Sequence, residues 1–220
     1  GYTTDTCAVC GYSQRRSETP ALGHSYENGT CARCGAKDPN WSAPVRNPFA
    51  DVEQSDYYHD AVLWAVNHEI TAGTNATHFS PNGICTRAQV VAFLWRAAGK
   101  PEPSTTKNPF VDVSADSYYY KAVLWAAENG IVYGTSANRF SPNASCTRAQ
   151  VVCFLHRYQG NPSHGTANPF RDVTGGAYYY DAVLWAAENG VVYGTDTTHF
   201  SPDKTCTRGQ VVCFLYRLLK

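Results

Sequence analysis

Residues 108–160 read NPFVDVSADSYYYKAVLWAAENGIVYGTSANRFSPNASCTRAQVVCFLHRYQG, and the same order of phrases returns at 47–99 and 168–220. Phe49, Phe110 and Phe170 mark equivalent positions. A repeat of this size is a unit that buries its apolar face against its neighbours, so it decides the fold before any single motif does. Within a copy, the stretch from Tyr118 to Asn129 is apolar nearly all round, which predicts an inner helix buried on several sides. Asn129, Gly130 and Ile131 end that helix: glycine takes the left-handed conformation and the next apolar residue packs back. Gly190 repeats the signal, whereas Glu69 stands there in the first copy and predicts a strained or reshaped turn.

The second helix of each copy opens with Thr86, Thr147 or Thr207 as N-cap, and Gln89, Gln150 or Gln210 three residues on completes a capping box. Cys85, Cys146 and Cys206 precede the cap, where an apolar residue staples against the fourth helical residue, and they read as packing residues. Cys153 and Cys213, in the apolar VVCFL stripe, read the same way, the alternative being a disulfide such as Cys146 with Cys153. Tyr118, Tyr119 and Tyr120, with Tyr178, Tyr179 and Tyr180, are expected to pack at the start of the inner helix.

Working outward, the copies are joined by stretches rich in Pro, Gly, Ser and Thr, which suit surface linkers. Residues 1–40 follow another pattern: Cys7 and Cys10, then Cys31 and Cys34, two CxxCG turns of the spacing that chelates metal. Four thiolates suit a closed structural zinc site in a small zinc-ribbon-like segment, with His24 as a surface or turn residue. Two disulfides are the alternative in oxidising surroundings, although CxxC pairs make strained disulfides.

The chain of 220 residues is 43% hydrophobic, enough for a substantial core, and its 18 basic and 18 acidic side chains cancel. No general field therefore draws it to nucleic acid, and no apolar run reaches the length of a membrane span, so neither nucleic-acid binding nor membrane insertion is expected. It begins with Gly1 and reads as a piece of a longer polypeptide, which leaves room for an export signal upstream.

FxDV, the inner helix with its Gly turn, GT, FSP and a helix opening with TRAQ together resemble the S-layer homology domain, over residues 47–99, 108–160 and 168–220. The resemblance implies a mainly α fold, with three repeats in a pseudo-threefold arrangement around a central helical bundle, monomeric as a pseudo-trimer. It also implies non-covalent anchoring of a larger surface protein, at the extracellular cell surface or wall. The implied ligand is a pyruvylated secondary cell-wall polysaccharide, bound in grooves between repeats. The family hallmark is TRAE; Gln in place of Glu removes a negative charge beside a bound anion.

Arg87, Arg148 and Arg208 occupy the first helical position, beside free backbone N–H groups and the positive end of the dipole. A guanidinium there can grip a ketal carboxylate with two parallel hydrogen bonds, and the resemblance implies ligand contact. The alternative is internal pairing with Asp51, Asp112 or Asp172. Replacing Arg148 and Arg208 by Ala is expected to remove binding and leave the fold intact. Sugar faces need flat apolar partners, and Tyr133 and Tyr193 flank the GT turn, with Ala72 in the first copy. Trp64, Trp125 and Trp185 on the inner helix serve either the core or the ligand. An enzyme is not expected: glycan hydrolysis needs two carboxylates across one bond, and Glu128, Glu188 and the repeated Asp residues are not uniquely paired. The remaining alternatives are a protein assembly module of a surface layer and an accessory module of a glycan-degrading enzyme.

Overall fold

Thr86, Thr147 and Thr207 cap helices as their sequence predicts, each hydroxyl accepting from the Gln backbone N–H while the Gln side chain accepts from the Thr N–H. In a computed structural model that describes residues 2–18, 23–39 and 47–220, six helices follow the paired pattern of the repeats. They are α1 His59–Asn67, α2 Arg87–Ala97, α3 Tyr120–Glu128, α4 Arg148–Tyr158, α5 Tyr180–Glu188 and α6 Arg208–Leu219. The chain divides into two compact units, Gly1–Val45 and Arg46–Lys220. Six helices and two short sheets among the described residues make it mainly α.

In the first unit, β1 Tyr2–Thr6 pairs antiparallel with β2 Ser13–Glu18, and β3 Tyr26–Glu27 with β4 Thr30–Cys31. Each CxxCG turn closes on a glycine in the left-handed region: the Gly11 N–H donates to the Cys7 carbonyl at 3.0 Å and the Gly35 N–H to the Cys31 carbonyl at 2.9 Å.

In the second unit, α1, α3 and α5 end alike. Gly130 and Gly190 have φ of +67° and Glu69 has +56°, and the N–H of Ile131, Val191 and Ile70 returns to the helix at 2.8 Å in each copy. The first copy therefore keeps the shape and accepts the strain, on the order of 1 kcal/mol for a side chain in that region. Lys100 pairs with the Glu69 carboxylate at 2.9 Å.

No copy packs its two helices chiefly on each other. α3 lies against α2, α5 against α4, and α1 against α6, so each first helix rests on the second helix of the preceding copy and the last copy receives the first. A ring of backbone bonds links the second helices just before their caps: Cys146 N–H to Cys85 at 2.9 Å, Cys206 N–H to Cys146 at 2.9 Å, and Cys85 N–H to Cys206 at 3.0 Å. All three side chains are fully buried beside this ring. Every cysteine is a free thiol, so the Cys146–Cys153 disulfide does not form. Burial pushes the Cys85 and Cys146 thiols up to about 12, and Cys153 and Cys213 to about 11, which leaves them inert packing groups.

Because α3 finds its apolar partner in another copy, a peptide of residues 108–160 alone lacks the surface that pays back the ordering of its helices. Such a peptide is expected to give a disordered circular dichroism spectrum and collapsed amide chemical-shift dispersion; a cooperative thermal transition would contradict the interlocked packing.

Candidate functional site

Arg87, Arg148 and Arg208 are 4%, 3% and 5% exposed, each at the start of a second helix. Their own N–H groups donate to the carbonyls of Ala144, Lys204 and Gly83 at 2.9, 2.9 and 2.8 Å, and the next N–H in each helix reaches Pro142, Pro202 and Pro81. Two of the helix-start donors that sequence alone offers to an anion are thus taken by the loop of another copy.

The guanidinium groups do the same. Arg87 donates through Nε to the Phe140 carbonyl at 2.9 Å and through Nη2 to that of Tyr133 at 2.8 Å. Arg148 holds Phe200 and Tyr193, both at 2.8 Å. Arg208 holds Phe79 at 2.9 Å and reaches the Thr71 hydroxyl at 3.5 Å. Each group also lies over phenylalanine, at 4.7, 4.6 and 4.8 Å from the rings of Phe140, Phe200 and Phe79. Burial draws the three guanidinium pKa values down from their ordinary value, and arginine remains charged.

Asp51, Asp112 and Asp172 meet these arginines through a shared peptide. Asp112 accepts the N–H of Phe140 at 2.8 Å and of Ser141 at 2.9 Å, while the Phe140 carbonyl faces Arg87. Asp172 holds Phe200 and Ser201, and Asp51 holds Phe79 and Ser80, at 2.7 to 2.8 Å. Ser80, Ser141 and Ser201 all have φ between +56° and +58°, a left-handed turn before proline that these bonds hold in place.

Two clefts open beside the forks. One, of about 430 Å³, is lined by Arg148, Arg217, Tyr193, Tyr57, Lys204 and the GT pair Gly194 and Thr195, among others. The other, of about 190 Å³, holds Arg87, Arg157, Tyr133, Tyr178 and the pair Gly134 and Thr135. A side chain at Gly134 or Gly194 would strike the turn's own carbonyls, which explains the GT phrase. Tyr133 and Tyr193 are 61% and 60% exposed, with Arg157 and Arg217 stacked at 4.6 and 4.5 Å from their ring centres. No carboxylate lines either cleft among the described residues. Two guanidinium groups beside an open aromatic face suit an acidic group carried on a sugar ring.

Arg157 and Arg217 were not singled out from sequence, yet the signal exists: Gln150, Cys153, Phe154 and Arg157 fall at helical spacing, and Gln210, Cys213, Phe214 and Arg217 repeat it along the cleft walls. Tyr57 and Tyr178, 66% and 65% exposed, line clefts, and Tyr118 is equally open, so the first tyrosine of each cluster faces out instead of packing. Tyr119, Tyr120, Tyr179 and Tyr180 pack against the core as expected. Trp125 and Trp185 are buried against Tyr158 and His156, and Trp64 is half-buried against Tyr216; none lines the two arginine clefts.

In the first unit, the ligand atoms of His24, Cys31 and Cys34 lie within 4.8 Å of one another, with His24 Nδ1 3.4 Å from the Cys34 sulfur. His24 therefore joins a metal-capable group, where sequence had suggested a bare turn residue; Cys7 and Cys10 form the other CxxCG turn and are not in that group. The Arg33 backbone N–H, then His24, bring the Cys31 thiol down to about 6. The Cys10 N–H lowers that of Cys7. One nitrogen and two sulfurs suit a borderline-soft divalent metal.

Interlocked two-helix repeats with cationic, tyrosine-walled clefts define a repeat-built binding module. The chain belongs to the S-layer homology domain family, which residues 48–91, 109–152 and 169–212 match. It is 30% identical over 178 residues to an endoglucanase of Bacillus sp. (strain KSM-635), covering 78% of this chain and 19% of that protein. It is 30% identical over 174 residues to a surface-layer 125 kDa protein of Lysinibacillus sphaericus, covering 77% and 14%, and 27% identical over 179 residues to a cell surface protein of Thermoanaerobacter kivui, covering 79% and 21%. The chain thus spans about a fifth or less of the length of these relatives. S-layer homology domains are cell-wall anchoring modules, present on S-layer proteins and on glycan-degrading enzymes. No helix among the described residues is long and apolar enough to cross a membrane.

The buried forks revise the expected innocence of arginine substitutions. Arg148→Ala strips two bonds from the carbonyls of the third copy, and is expected to lose on the order of 2 kcal/mol or more in urea unfolding. Arg217→Ala, at the half-buried cleft wall, is expected to lose less than about 1 kcal/mol. Equal losses would contradict this division of labour.

Proposed function

We propose that this chain holds a larger surface protein on the bacterial wall by gripping, without covalent attachment, the pyruvate ketals of a secondary cell-wall polysaccharide in the clefts between its copies. The observation that carries this reading is the pairing, in each described cleft, of two guanidinium groups with exposed tyrosines and no lining carboxylate. Arg148 with Arg217, and Arg87 with Arg157, meet the ketal carboxylate; Tyr193 and Tyr133 offer a face to the sugar. Asp51, Asp112 and Asp172 act as positioning residues that fix the loop each cleft is built on. Trp64, Trp125 and Trp185 support the helices behind it. At Arg208 the first copy has Ala72 in place of the tyrosine, so binding there is expected to be weakened or differently selective.

The ring of backbone bonds and the cyclic helix pairing support a pseudo-threefold unit around a central bundle of second helices. Since the first copy completes the last, the unit is a monomer with the form of a trimer. Its place is the extracellular cell surface or cell wall, and its work is binding, not catalysis. The cationic character is local, so nucleic acid is no partner: 18 acidic side chains balance 18 basic ones.

Calorimetry with purified pyruvylated wall polysaccharide tests the proposal. The double variant Arg157→Ala, Arg217→Ala is expected to bind at least ten-fold more weakly than wild type while keeping its fold, and removal of the ketals is expected to weaken wild-type binding equally. Affinity indifferent to the ketals would shift the function to assembly with neighbouring surface proteins.

The first unit is proposed to hold one structural zinc ion on Cys7, Cys10, Cys31 and Cys34, with His24 bonded to the Cys34 sulfur as an orienting neighbour. X-ray absorption of the zinc-loaded chain is expected to count four sulfur ligands. Three sulfurs and one nitrogen would instead make His24 a ligand.

A further inference from the structure

The smaller arginine cleft does not end at its own walls. Arg157, Tyr178 and Cys153 line it on one side and, on the other, line a wider cleft of about 520 Å³ beneath the linker from the second copy to the third. The two spaces therefore share these three residues as a common wall. The size is that of a small-ligand site.

The side chains at this linker differ from those at the equivalent linker between the first and second copies. At the first linker, the Trp95 indole N–H donates to the Pro101 carbonyl at 2.8 Å, and Glu102 pairs with Lys121 at 2.8 Å. At the second, the smaller ring of His156 donates through Nε2 to the Pro162 carbonyl at 2.9 Å. His164 there meets Asp181 at 3.2 Å and the Gly165 carbonyl at 2.6 Å. The fastening is kept while an indole is exchanged for an imidazole.

The polar character also changes along the groove. Both ring nitrogens of His164 face acceptors, and the Gly165 carbonyl, then Asp181, raise its pKa above the ordinary value, so the Asp181 carboxylate is already engaged by the ring. Asn161 and Ser163 add a carboxamide and a hydroxyl to the lining. Planar amide and carboxylate groups with a hydroxyl are partners for sugar hydroxyls, whereas the adjoining cleft, with Arg87 and Arg157 and no carboxylate, favours an acid.

We propose that the cleft of Asn161, Ser163, His164 and Asp181 is a second subsite, which takes an uncharged sugar of the wall polysaccharide whose acid-bearing neighbour occupies the Arg87–Arg157 cleft. This rests on the anchoring function proposed above. The ligand is then read over at least two successive sugars at this junction.

The test uses the full chain carrying Arg217→Ala, which disables the larger arginine cleft. Two probes are titrated calorimetrically: a pyruvylated monosaccharide, and an oligosaccharide of the wall polymer that carries the same sugar at its end. The oligosaccharide is expected to bind at least ten-fold tighter. Ser163→Trp, which fills the cleft, is expected to abolish that advantage and leave monosaccharide affinity unchanged. Asn161→Gly is expected to reduce the advantage several-fold. Glycine keeps the left-handed backbone of Asn161, φ +55°, so this variant retains the fold if the tryptophan does not. Equal affinity for the two probes, or an advantage that survives both variants, overturns the second subsite while leaving the anchoring function in place. Failure of the unmodified wild-type chain to bind either probe overturns both.

Discussion

A guanidinium buried between two copies of the repeat, giving its hydrogen bonds to carbonyls that its own copy does not own, is the constraint from which the rest of this structure follows. Arginine is costly to bury, and the cost is met because Nε and Nη2 both find acceptors and the plane lies over phenylalanine. The carbonyl it holds belongs to a peptide whose N–H, that of Ser141, is held from the other side by an aspartate. Phe140 is thus fixed at both ends by charges of opposite sign, and the following serine is kept in a conformation that a free chain would avoid. The loop bearing Tyr133 and Gly134 hangs from the same clamp. Cleft wall and fold closure are consequently one piece of structure.

That arrangement shows why sequence revealed some features and hid others. Capping boxes, the left-handed turn after the inner helix and the buried thiols depend on neighbours a few residues away, and local chemistry foretold them. Arg148 also has local chemistry, a helix start with free N–H groups, and that chemistry suggests an anion. The competing partner lies in the next copy: Phe200 and Tyr193 are far along the chain, and nothing in a single repeat shows that its loop will be delivered to the preceding helix. The same non-local delivery turns Tyr178 outward. Its tyrosine cluster reads as apolar, but the space beside it is a cleft formed by α4, so one ring is left on the wall. His24 reads as a surface or turn residue for a related reason: a chain fold of ten residues brings it to Cys34.

Equal sequences would give equal clefts, and these copies are not equal. Glu69 keeps the turn by strain where the others use glycine, and Ala72 leaves Arg96 without the ring on which Arg157 and Arg217 lie. Arg208 correspondingly turns to the Thr71 hydroxyl, at 3.5 Å, instead of a second carbonyl. A cyclic packing tolerates such variation because the ring of Cys85, Cys146 and Cys206 involves backbone only. The backbone ring does not depend on the residues at positions 69 and 72, so the cleft walls can diverge among copies without loss of that ring.

The glutamine of the capping box joins these two levels. Gln150 accepts the Thr147 N–H at 3.3 Å and also lines the cleft of Arg87 and Arg157; Gln210 does the same beside Arg148 and Arg217. A glutamate could close the capping box equally well. It would, however, add a carboxylate to a cleft lined by two guanidinium groups and offset part of the charge that the cleft can offer to an acid. With glutamine the helix keeps its cap and both cations stay uncompensated, so a residue chosen for the start of a helix also sets the sign of the site.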